Sequence, residues 1–461
     1  MFQWFSAPST FIFPVIPATA ATMLKQENFE VDFYDGIARR EKYADFKKEF
    51  DDFKPDVVVF ETKTPVVKQH WQIIDEMKKI SPETKFVLMG DHVTALPEES
   101  MKKSKADYVI TGGDMDVSLL GLAKSIRDGS KMPKGIFFRE GRTIKNTGRF
   151  VLAEKLDDLP FIDRELTHWE LYGEAYLFRP VAYTMAGRDC PMRCSFCSWS
   201  WNLFSGMRYR SVENFLEEVE MLFNKYKVKE IFDDTGTFTI NKKWVEDFCN
   251  GMIERGLNEK ISFSVNARFD SLTDPEFCCL LKKAGFRLLK VGLESGNEVT
   301  LKKIKKGETF QTMQLGYKNA KDAGLIMMLT IMVGYPWESR EEAENTINVA
   351  KKLLQYKTKI GDSLQASVVV PYPGTMLYKE AKENKWFRIK EEDWDKFDMT
   401  ETVLKSPMKP QQVMEMCQSV WSIYTDPMYA MKTLASVRTW HEFMLLLRGA
   451  RSVFGHIKDY A

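Results

Sequence analysis

The segment Gly187-Arg-Asp-Cys190-Pro-Met-Arg-Cys194-Ser-Phe-Cys197 carries three of the seven cysteines of this chain within eight residues. Thiolates with three and two residues between them can curve around one [4Fe–4S] cluster and bind three of its irons, which leaves the fourth iron open. A structural zinc site needs a fourth cysteine or histidine at similarly short range, and the nearest candidates are His168 and Cys249. The spacing therefore predicts that Cys190, Cys194 and Cys197 bind an iron–sulfur cluster in a reducing compartment.

The cysteine segment directly follows the first of six apolar runs that predict β-strands. These runs are Val181–Ala186, Glu230–Asp234, Ser262–Ala267, Leu288–Glu294, Met327–Gly334 and Gln365–Pro371. Helical patterns separate them, at about 212–227, 242–255, 274–284, 311–323 and 340–356. Six β/α units predict a partial (β/α)6 barrel over residues 181–384, with its chemistry at the carboxyl ends of the strands.

Cys-x3-Cys-x2-Cys with an aromatic residue, Phe196, before the last cysteine resembles the motif of the radical S-adenosylmethionine (SAM) enzymes. The resemblance covers roughly residues 181–375, and the fold of that family is the partial barrel predicted above. It implies a cluster held by the three cysteines. It also implies that the amino and carboxylate groups of SAM bind the open iron.

The same resemblance implies further SAM contacts at the ends of successive strands. The expected SAM-binding residues are Phe196, Asp233, Asp234, Arg268, Glu294, Ser295 and Gly334. One of the two aspartates would accept a hydrogen bond from the SAM ammonium, and Arg268 would pair with its carboxylate through two hydrogen bonds. Glu294 and Ser295 would contact the ribose or the methionine, and Gly334 lies in the segment that flanks adenine. A surface ion pair is the alternative for each aspartate.

Residues 1–140 alternate short β-rich runs with helical patterns near 41–53, 66–80 and 115–128. The β-rich runs are Glu30–Tyr34, Asp56–Phe60, Lys85–Met89 and Asp107–Ile110. The alternation predicts a doubly wound, Rossmann- or flavodoxin-like α/β domain with a parallel sheet covered on both faces. Residues 141–180 show few periodic signals and predict a linker, and residues 385–461 predict a helical C-terminal region.

A doubly wound domain directly before such a barrel resembles the cobalamin-binding subgroup of the radical SAM enzymes, as does the segment Gly90-Asp-His-Val-Thr-Ala-Leu-Pro97. Cobalamin at the carboxyl ends of the strands would contact Thr62, Thr64, Gly90, His92, Gly112 and Gly113. The sequence lacks the Asp-x-His-x-x-Gly run of proteins that ligate cobalt through histidine. The resemblance therefore implies a cobalt without such a ligand, and His92 is expected to form hydrogen bonds within its loop. Glycines that merely turn the chain, and a domain that has lost its ligand, are the alternatives.

With both cofactors, the resemblance implies methylation of an unactivated carbon in a small-molecule or lipophilic substrate. SAM cleavage would yield a 5′-deoxyadenosyl radical that abstracts a hydrogen atom, and the carbon radical would take a methyl group from cobalamin. Trp199, Trp201, Phe204 and Tyr209 would line a closed cavity for this chemistry or pack in the core. One alternative is cyclisation or rearrangement without methyl transfer. Another is an iron–sulfur electron carrier or scaffold that never cleaves SAM.

The composition excludes several other classes of protein. Lysine and arginine total 66 against 65 aspartates and glutamates, a net charge of +1, so no nucleic-acid partner is expected. Hydrophobic residues at 44% and charged residues at 28% are typical of a soluble globular protein. No apolar run reaches the roughly 20 residues of a transmembrane helix. We therefore expect a cytoplasmic protein. The resemblance to the radical SAM enzymes implies a flavodoxin or ferredoxin as its electron donor.

The C-terminal segment from Trp440 to Leu447, with basic residues after it, predicts an amphipathic helix. Residues 401–461 contain seven basic and five acidic residues, a net charge of +2, which is little for attraction to anionic lipid. Packing onto the barrel is therefore expected, with contact to a lipophilic substrate or membrane surface as the alternative. The remaining cysteines, Cys249, Cys278, Cys279 and Cys417, are expected to be buried apolar side chains.

Overall fold

A computed structural model describes residues 10–203 and 206–459 of the chain, with side chains described as far as residue 449. Its first sheet has five strands in the order β1-β2-β3-β4-β5. They are β1 Val57–Glu61, β2 Lys85–Met89, β3 Tyr108–Ile110, β4 Ile136–Glu140 and β5 Thr143–Asn146. The first three are parallel, whereas β4 and β5 pair antiparallel. The sheet thus extends beyond residue 140, into the segment predicted as a linker.

Helices cover both faces of this sheet, as expected for a doubly wound domain. They are α1 Val15–Gln26, α2 Gly36–Arg39, α3 Tyr43–Phe53, α4 Val67–Ile80, α5 Asp91–Ala95, α6 Pro97–Lys103 and α7 Met115–Asp128. Successive residues of β2 point to opposite faces of the sheet. Val87 and Met89 pack in the cluster formed with α1 and α7, whereas Phe86 packs in the cluster that contains residues of α3, α4 and α6. This alternation explains why β2 is apolar throughout.

The strand predicted at Glu30–Tyr34 is wrong, because that segment has no regular secondary structure. Its alternating apolar and charged residues fit a strand only where a neighbouring strand is present to pair with it. Here the Tyr34 ring packs instead on Phe46 of α3, with ring centroids 5.5 Å apart. Among the described residues, β1 therefore forms the edge of the sheet.

The second sheet confirms the predicted partial barrel. Its six parallel strands have the order β13-β12-β11-β10-β9-β6. They are β6 Val181–Thr184, β9 Glu230–Asp233, β10 Ser262–Ala267, β11 Phe286–Glu294, β12 Ile326–Val333 and β13 Ser363–Val368. A short antiparallel ribbon, β7 Gly187–Arg188 with β8 Arg208–Tyr209, flanks the cysteine segment. The strand bounds match the sequence prediction to within three residues.

The helices that cover the barrel are α8 Val212–Tyr226, α9 Lys242–Glu254, α10 Pro275–Lys283, α11 Glu298–Lys303, α12 Phe310–Asp322, α13 Arg340–Leu354 and α14 Met376–Glu383. Their apolar faces bury the outer side of the strands. Phe215, Phe248 and Phe263, for example, have ring centroids between 5.0 and 6.2 Å apart. This packing turns the other side of each strand toward the barrel interior.

The C-terminal region is helical, as predicted, with α15 Pro410–Ser419, α16 Pro427–Ser436 and α17 Trp440–Asp459. It packs on the barrel: the Tyr429 hydroxyl donates to the Asp362 carbonyl at 2.7 Å, and Leu445 is buried. A second face of α16 and α17 remains exposed, with Met428, Met431, Leu434, Trp440, Phe443, Met444 and Leu447. Within the described part of the chain, every helix is too short or too polar to cross a bilayer.

The four cysteines outside the motif do not all behave as predicted. Cys249 and Cys278 are buried and Cys417 is partly buried, whereas Cys279 is exposed. The prediction was wrong for Cys279 because adjacent residues of α10 face different directions, and Cys278 takes the side that faces the core.

Candidate active site

The cysteine segment forms a loop between β7 and a π-helical turn at Trp199–Leu203. Asp189 holds the start of this loop with a positive φ of 85°, and its carboxylate accepts hydrogen bonds from the backbone N–H groups of Cys190 and Gly206, each at 2.5 Å. The Trp201 indole donates to the Cys194 carbonyl at 2.9 Å. These local bonds set the curvature of the loop before any ligand is added.

The thiols of the motif lie in a largely buried environment. Burial raises the pKa of Cys197 to about 12, although the N–H groups of Trp199 and Ser200 oppose that rise, and the other two motif thiols add to it. Among the described residues, no three Cys, His, Asp or Glu side chains converge tightly enough for a single metal ion. A cubane distributes its thiolate ligands over separate irons, so these three buried or partly buried cysteines fit a cluster better than a zinc ion.

The charges of two buried cations act on Cys194, and one of the two was missed from the sequence. Burial raises the pKa of the Cys194 thiol, while the charges of Lys306 and Arg268 lower it. Lys306 is 5% exposed, and its Nζ is 3.4 Å from Glu294 Oε1 and 3.6 Å from Glu308 Oε2. Only tertiary packing reveals this lysine, because it sits among several surface lysines in the sequence.

Arg268, predicted to bind the SAM carboxylate, is already paired with protein carboxylates. Its Nη2 lies 2.8 Å from Asp270 Oδ2 and 3.4 Å from Glu308 Oε2, and it donates to the Lys306 carbonyl at 3.0 Å. The charge of Arg268 thus acts on Cys194, while its guanidinium is held by these neighbours. A direct contact with SAM remains a prediction.

The two adjacent aspartates at the end of β9 have different surroundings. The Asp233 carboxylate accepts hydrogen bonds from the Thr184 hydroxyl and the Ala186 N–H, both at 2.8 Å, and thereby ties β9 to β6. Among the described residues, the hydrogen-bond donor to the Asp234 carboxylate is the distant Asn266 Nδ2, at 3.5 Å. Burial raises the pKa of Asp234 to about 6, although Lys290 opposes it. Of the pair, Asp234 is the one whose carboxylate is available to a ligand.

The end of β11 turns sharply at Glu294, which has φ 60° at a register shift in the strand. The Ser295 hydroxyl, predicted to contact SAM, instead lies 3.3 Å from the Thr346 hydroxyl of α13 and accepts from the Asn297 N–H at 3.2 Å. Phe196 is partly buried against the core. The Ser295 hydroxyl thus contacts α13, and a direct contact of Glu294 or Ser295 with SAM remains a prediction.

The loop after β12 contains a buried carboxylate that the sequence analysis missed. Gly334 has φ 97°, and a Cβ there would meet Val413 Cγ1 at 2.8 Å. Its N–H donates to Glu338 Oε2 at 2.8 Å, while Glu338 Oε1 is buried and finds no hydrogen-bond partner in residues 10–203 and 206–459. Burial raises the pKa of Glu338 to about 7. The spacing Gly-x-x-x-Glu gave no signal, because an isolated glutamate after a strand is most often exposed.

At the carboxyl edge of the first sheet, the predicted cobalamin residues form a tight cradle. Thr62 is fully buried, and its hydroxyl has no hydrogen-bond partner within the part of the chain that the structure describes. A Cβ on Gly90 would lie 2.2 Å from the Thr62 carbonyl oxygen, and one on Gly112 would lie 2.1 Å from the Phe150 ring. Gly113 is buried beside them. An orphan hydroxyl among close backbone surfaces fits a cofactor with polar side groups such as cobalamin.

His92 forms contacts within its own domain, as expected from the sequence. Its Nδ1 is 3.2 Å from the Thr64 hydroxyl, and its Nε2 is 3.5 Å from Glu99 Oε2. The Trp394 indole donates to the other oxygen of Glu99 at 3.0 Å. The imidazole is therefore buried between the loop after β1 and the C-terminal region.

The loops of the two sheets meet directly. Ser198, next to Cys197, donates from its hydroxyl to Asp91 Oδ2 at 3.3 Å, and Asp91 follows Gly90. Arg188, two residues before Cys190, lies 2.7 Å from Asp114 Oδ1, and Asp114 follows Gly113. The cysteine segment and the glycine-rich loops thus form one contiguous site between the sheets.

The four aromatic residues predicted to line a cavity or pack in the core, Trp199, Trp201, Phe204 and Tyr209, do not share one environment. Trp199 packs against the cluster of α1 and α7, and Tyr209 stacks on Trp244 at 4.8 Å with its hydroxyl bonded to the Thr237 and Phe238 carbonyls. Trp201 is 36% exposed. Phe204 lies outside the described residues. Core packing therefore explains Tyr209.

Two family models match the chain. One described as "Radical SAM superfamily" matches residues 185–350, and one described as "B12 binding domain" matches residues 14–118. The matched ranges contain the cysteine segment and the glycine-rich loops, respectively.

Curated relatives and solved structures agree with these matches. "Uncharacterized methyltransferase PH0819" of Pyrococcus horikoshii is 28% identical, covering 91% of this chain and 90% of the relative. "Anaerobic magnesium-protoporphyrin IX monomethyl ester cyclase" of Cereibacter sphaeroides is 25% identical over 81% of this chain, which spans 60% of that protein. The fold matches TsrM of Kitasatospora setae, a radical SAM methyltransferase solved with cobalamin and a [4Fe–4S] cluster, with TM-score 0.71, 14% identity and 98% of each chain covered.

Proposed function

The chain is a radical SAM enzyme with an N-terminal B12-binding domain, and we propose that it methylates an unactivated carbon of a small-molecule or lipophilic substrate. Both resemblances drawn from the sequence are confirmed, and with them the [4Fe–4S] cluster, SAM and cobalamin as cofactors. A relative named as a methyltransferase covers nearly the whole chain, which supports methyl transfer.

The observation that carries the proposal is the direct contact between the cysteine segment and both glycine-rich loops. Ser198 bonds to Asp91 on one side, and Arg188 pairs with Asp114 on the other. Methyl transfer to a carbon radical needs the SAM site and the methyl donor to face one enclosed space. An electron carrier has no need for such a junction.

Specific residues of the site would bind the cluster and SAM. Cys190, Cys194 and Cys197 would hold the cluster, and Asp234 would accept from the SAM ammonium, because Asp233 is already saturated by internal hydrogen bonds. When bound, the reduced cluster supplies the electron that cleaves SAM, and cobalamin supplies the methyl group. The cationic side chain of Lys306 would hold negative charge beside Cys194.

The interior of the barrel offers a polar surface to the substrate. Lys290 donates to the Tyr176 hydroxyl at 3.3 Å and lies 5.5 Å from the centre of the Phe232 ring. Tyr176 in turn donates to Glu174. Such a wall suits a ring system that carries polar groups, in keeping with the substrate class proposed here.

The test begins with anaerobic reconstitution of the iron–sulfur cluster and cobalamin. Dithionite and SAM labelled in its methyl group are then added with a small-molecule extract, and mass spectrometry follows three products: 5′-deoxyadenosine, S-adenosylhomocysteine and a labelled methyl acceptor. All three are expected. Formation of 5′-deoxyadenosine without label in any acceptor would favour cyclisation or rearrangement, which the cyclase relative supports. Absence of 5′-deoxyadenosine would favour the electron-transfer alternative.

Two cysteine variants make a matched pair for this test. Cys194→Ala is expected to abolish the brown absorbance and 5′-deoxyadenosine together, whereas Cys279→Ala removes an exposed thiol on α10 and should change neither. The proposal includes a cytoplasmic location, which keeps the three thiols reduced. It also includes a flavodoxin or ferredoxin as the electron donor, and replacement of dithionite by reduced flavodoxin tests that part.

A further inference from the structure

Four charged side chains form a buried network between the two sheets. Arg188 Nη1 lies 2.7 Å from Asp114 Oδ1 and 2.9 Å from Asp116 Oδ1, and its Nη2 contacts the second oxygen of Asp116. Arg208 binds Asp114 through two nitrogens, at 2.7 and 3.0 Å. Two cations thus meet two anions, and each arginine makes a two-pronged contact.

The places of these residues in the chain connect the two cofactor loops. Asp114 directly follows Gly112 and Gly113, at the carboxyl end of β3. Arg188 lies on β7, two residues before Cys190. Any shift of one loop relative to the other would therefore separate charged side chains that are 0–3% exposed. Separation of buried charges is costly, because water cannot replace the lost partner.

The network also reaches the far side of the cysteine segment. Arg208 lies on β8, which pairs with β7, and its Nη1 donates to the Ala153 carbonyl at 2.7 Å. The Ala153 N–H donates back to Asp114 Oδ2 at 2.6 Å. The ribbon that starts the cysteine segment is therefore bound to the first domain and to the connection between the domains.

We propose that Arg188, Arg208, Asp114 and Asp116 are positioning residues that set the distance between the cobalamin loop and the cluster loop. They contact neither cofactor in this role and act through the loops that hold them. The inference rests on the proposed function, because the spacing of two cofactors matters only where a methyl group passes between their sites.

The first test uses Arg188→Lys, which keeps the charge but cannot make the two-pronged contact. Cob(II)alamin and the reduced cluster each carry an unpaired electron, so pulsed electron paramagnetic resonance reports the distance between them. Wild type is expected to show one narrow distance distribution, and Arg188→Lys a broadened or shifted one at unchanged iron and cobalamin content. Methylation of cobalamin by SAM should fall about tenfold.

A matched control separates positioning from stability. Arg287 forms an equally buried pair with Glu230, at 2.8 Å, but lies within the barrel and away from the first domain. Arg287→Lys is expected to lower the melting temperature as Arg188→Lys does, yet leave the electron–electron distance unchanged. The exchange Arg188→Asp with Asp116→Arg restores opposite charges and should recover much of the narrow distribution.

An unchanged distance distribution in Arg188→Lys would overturn the inference while leaving the proposed function intact. If wild type takes up no cobalamin, the proposed function fails, and hydrogen exchange of the cofactor-free protein decides the inference. In that experiment Arg188→Lys should speed exchange at residues 110–116 and 187–190 by about tenfold, and Arg287→Lys should not. Equal exchange in both variants would refute the positioning role.

Discussion

Thr237 Oγ1 lies 3.2 Å from Cys190 Sγ, at the point where the loop after β9 meets the cysteine segment. The same hydroxyl lies 2.8 Å from the Gly236 carbonyl oxygen. The hydroxyl donates its one proton to that carbonyl in this structure. As a cluster ligand, Cys190 would carry no thiol proton, so in this pair only the threonine could donate, and the negatively charged sulfur would compete with the Gly236 carbonyl for the hydroxyl proton. Thr237, which follows β9, is thus placed to stabilise negative charge on Cys190, which follows β7.

We expect Thr237→Val to make the reduction potential of the cluster more negative. Hydrogen bonds to the sulfur ligands stabilise the more negative, reduced state. Loss of one bond worth about 0.5–1.5 kcal/mol corresponds to roughly 20–65 mV for a one-electron couple. Redox titration monitored by electron paramagnetic resonance measures the shift. Thr239→Val, which removes a hydroxyl bonded to Ser271, serves as the control and should leave the potential unchanged.

Gly90→Ala is expected to destabilise the first domain and to abolish uptake of cobalamin. The new Cβ would lie 2.2 Å from the Thr62 carbonyl oxygen, and the backbone φ of 129° is one that alanine rarely adopts. Backbone strain and overpacking together should lower the free energy of unfolding by at least about 3 kcal/mol. Gly129 also has a positive φ, but a Cβ there would meet no atom within 4 Å. Gly129→Ala should therefore lower the free energy of unfolding by only about 1–2 kcal/mol. Thermal unfolding and the visible spectrum of added cobalamin distinguish the two, and equal losses would contradict this account.

Lys306→Met is expected to lower stability by about 3 kcal/mol, because it leaves Glu294 and Glu308 buried beside each other without their shared cation. Burial raises the pKa of Glu294, and Lys306 opposes that rise. Without the lysine the ionised Glu294 carboxylate is further disfavoured, so the penalty should shrink as the pH falls and Glu294 takes up a proton. Denaturant unfolding at pH 5 and pH 8 measures both effects. The neighbouring Lys305 is exposed, and Lys305→Met should change stability by less than about 0.5 kcal/mol at either pH. A penalty independent of pH would show that the two glutamates are not the cause.

Glu338→Gln is expected to change how stability depends on pH. The pKa of Glu338 is raised by burial to about 7 in the folded protein, against about 4.5 in the unfolded chain. Between these values the folded state holds the extra proton, so wild-type stability falls as the pH rises from 4.5 to 7, by about 3 kcal/mol in total. The glutamine variant lacks this pH dependence. Its free energy of unfolding should therefore increase relative to that of wild type as the pH rises. Unfolding at pH 5, 6, 7 and 8 tests it, with the exposed Glu341→Gln expected to parallel wild type.

The cysteine spacing and the strand periodicity were sufficient to predict the cluster loop, the partial barrel and the order of the domains. Both signals are local: three thiols within eight residues must lie on one loop, and apolar runs of strand length that alternate with helices must form parallel units. For the same reason Gly90 and Gly112 were found, since Gly90 directly follows β2 and Gly112 lies two residues after the end of β3.

The pairing of charges across the chain depended on tertiary structure. Arg188 pairs with Asp114, and the charge of Lys306 acts on Cys194. Glu338 is buried with one oxygen unpaired among the described residues. The sequence spacing of these residues predicts none of this. The strand predicted at Glu30–Tyr34 failed likewise, because a strand exists only with a partner beside it. Hydrogen bonding within a loop follows from neighbours in sequence. The charge state of a buried side chain follows from whichever distant residues the packing brings against it.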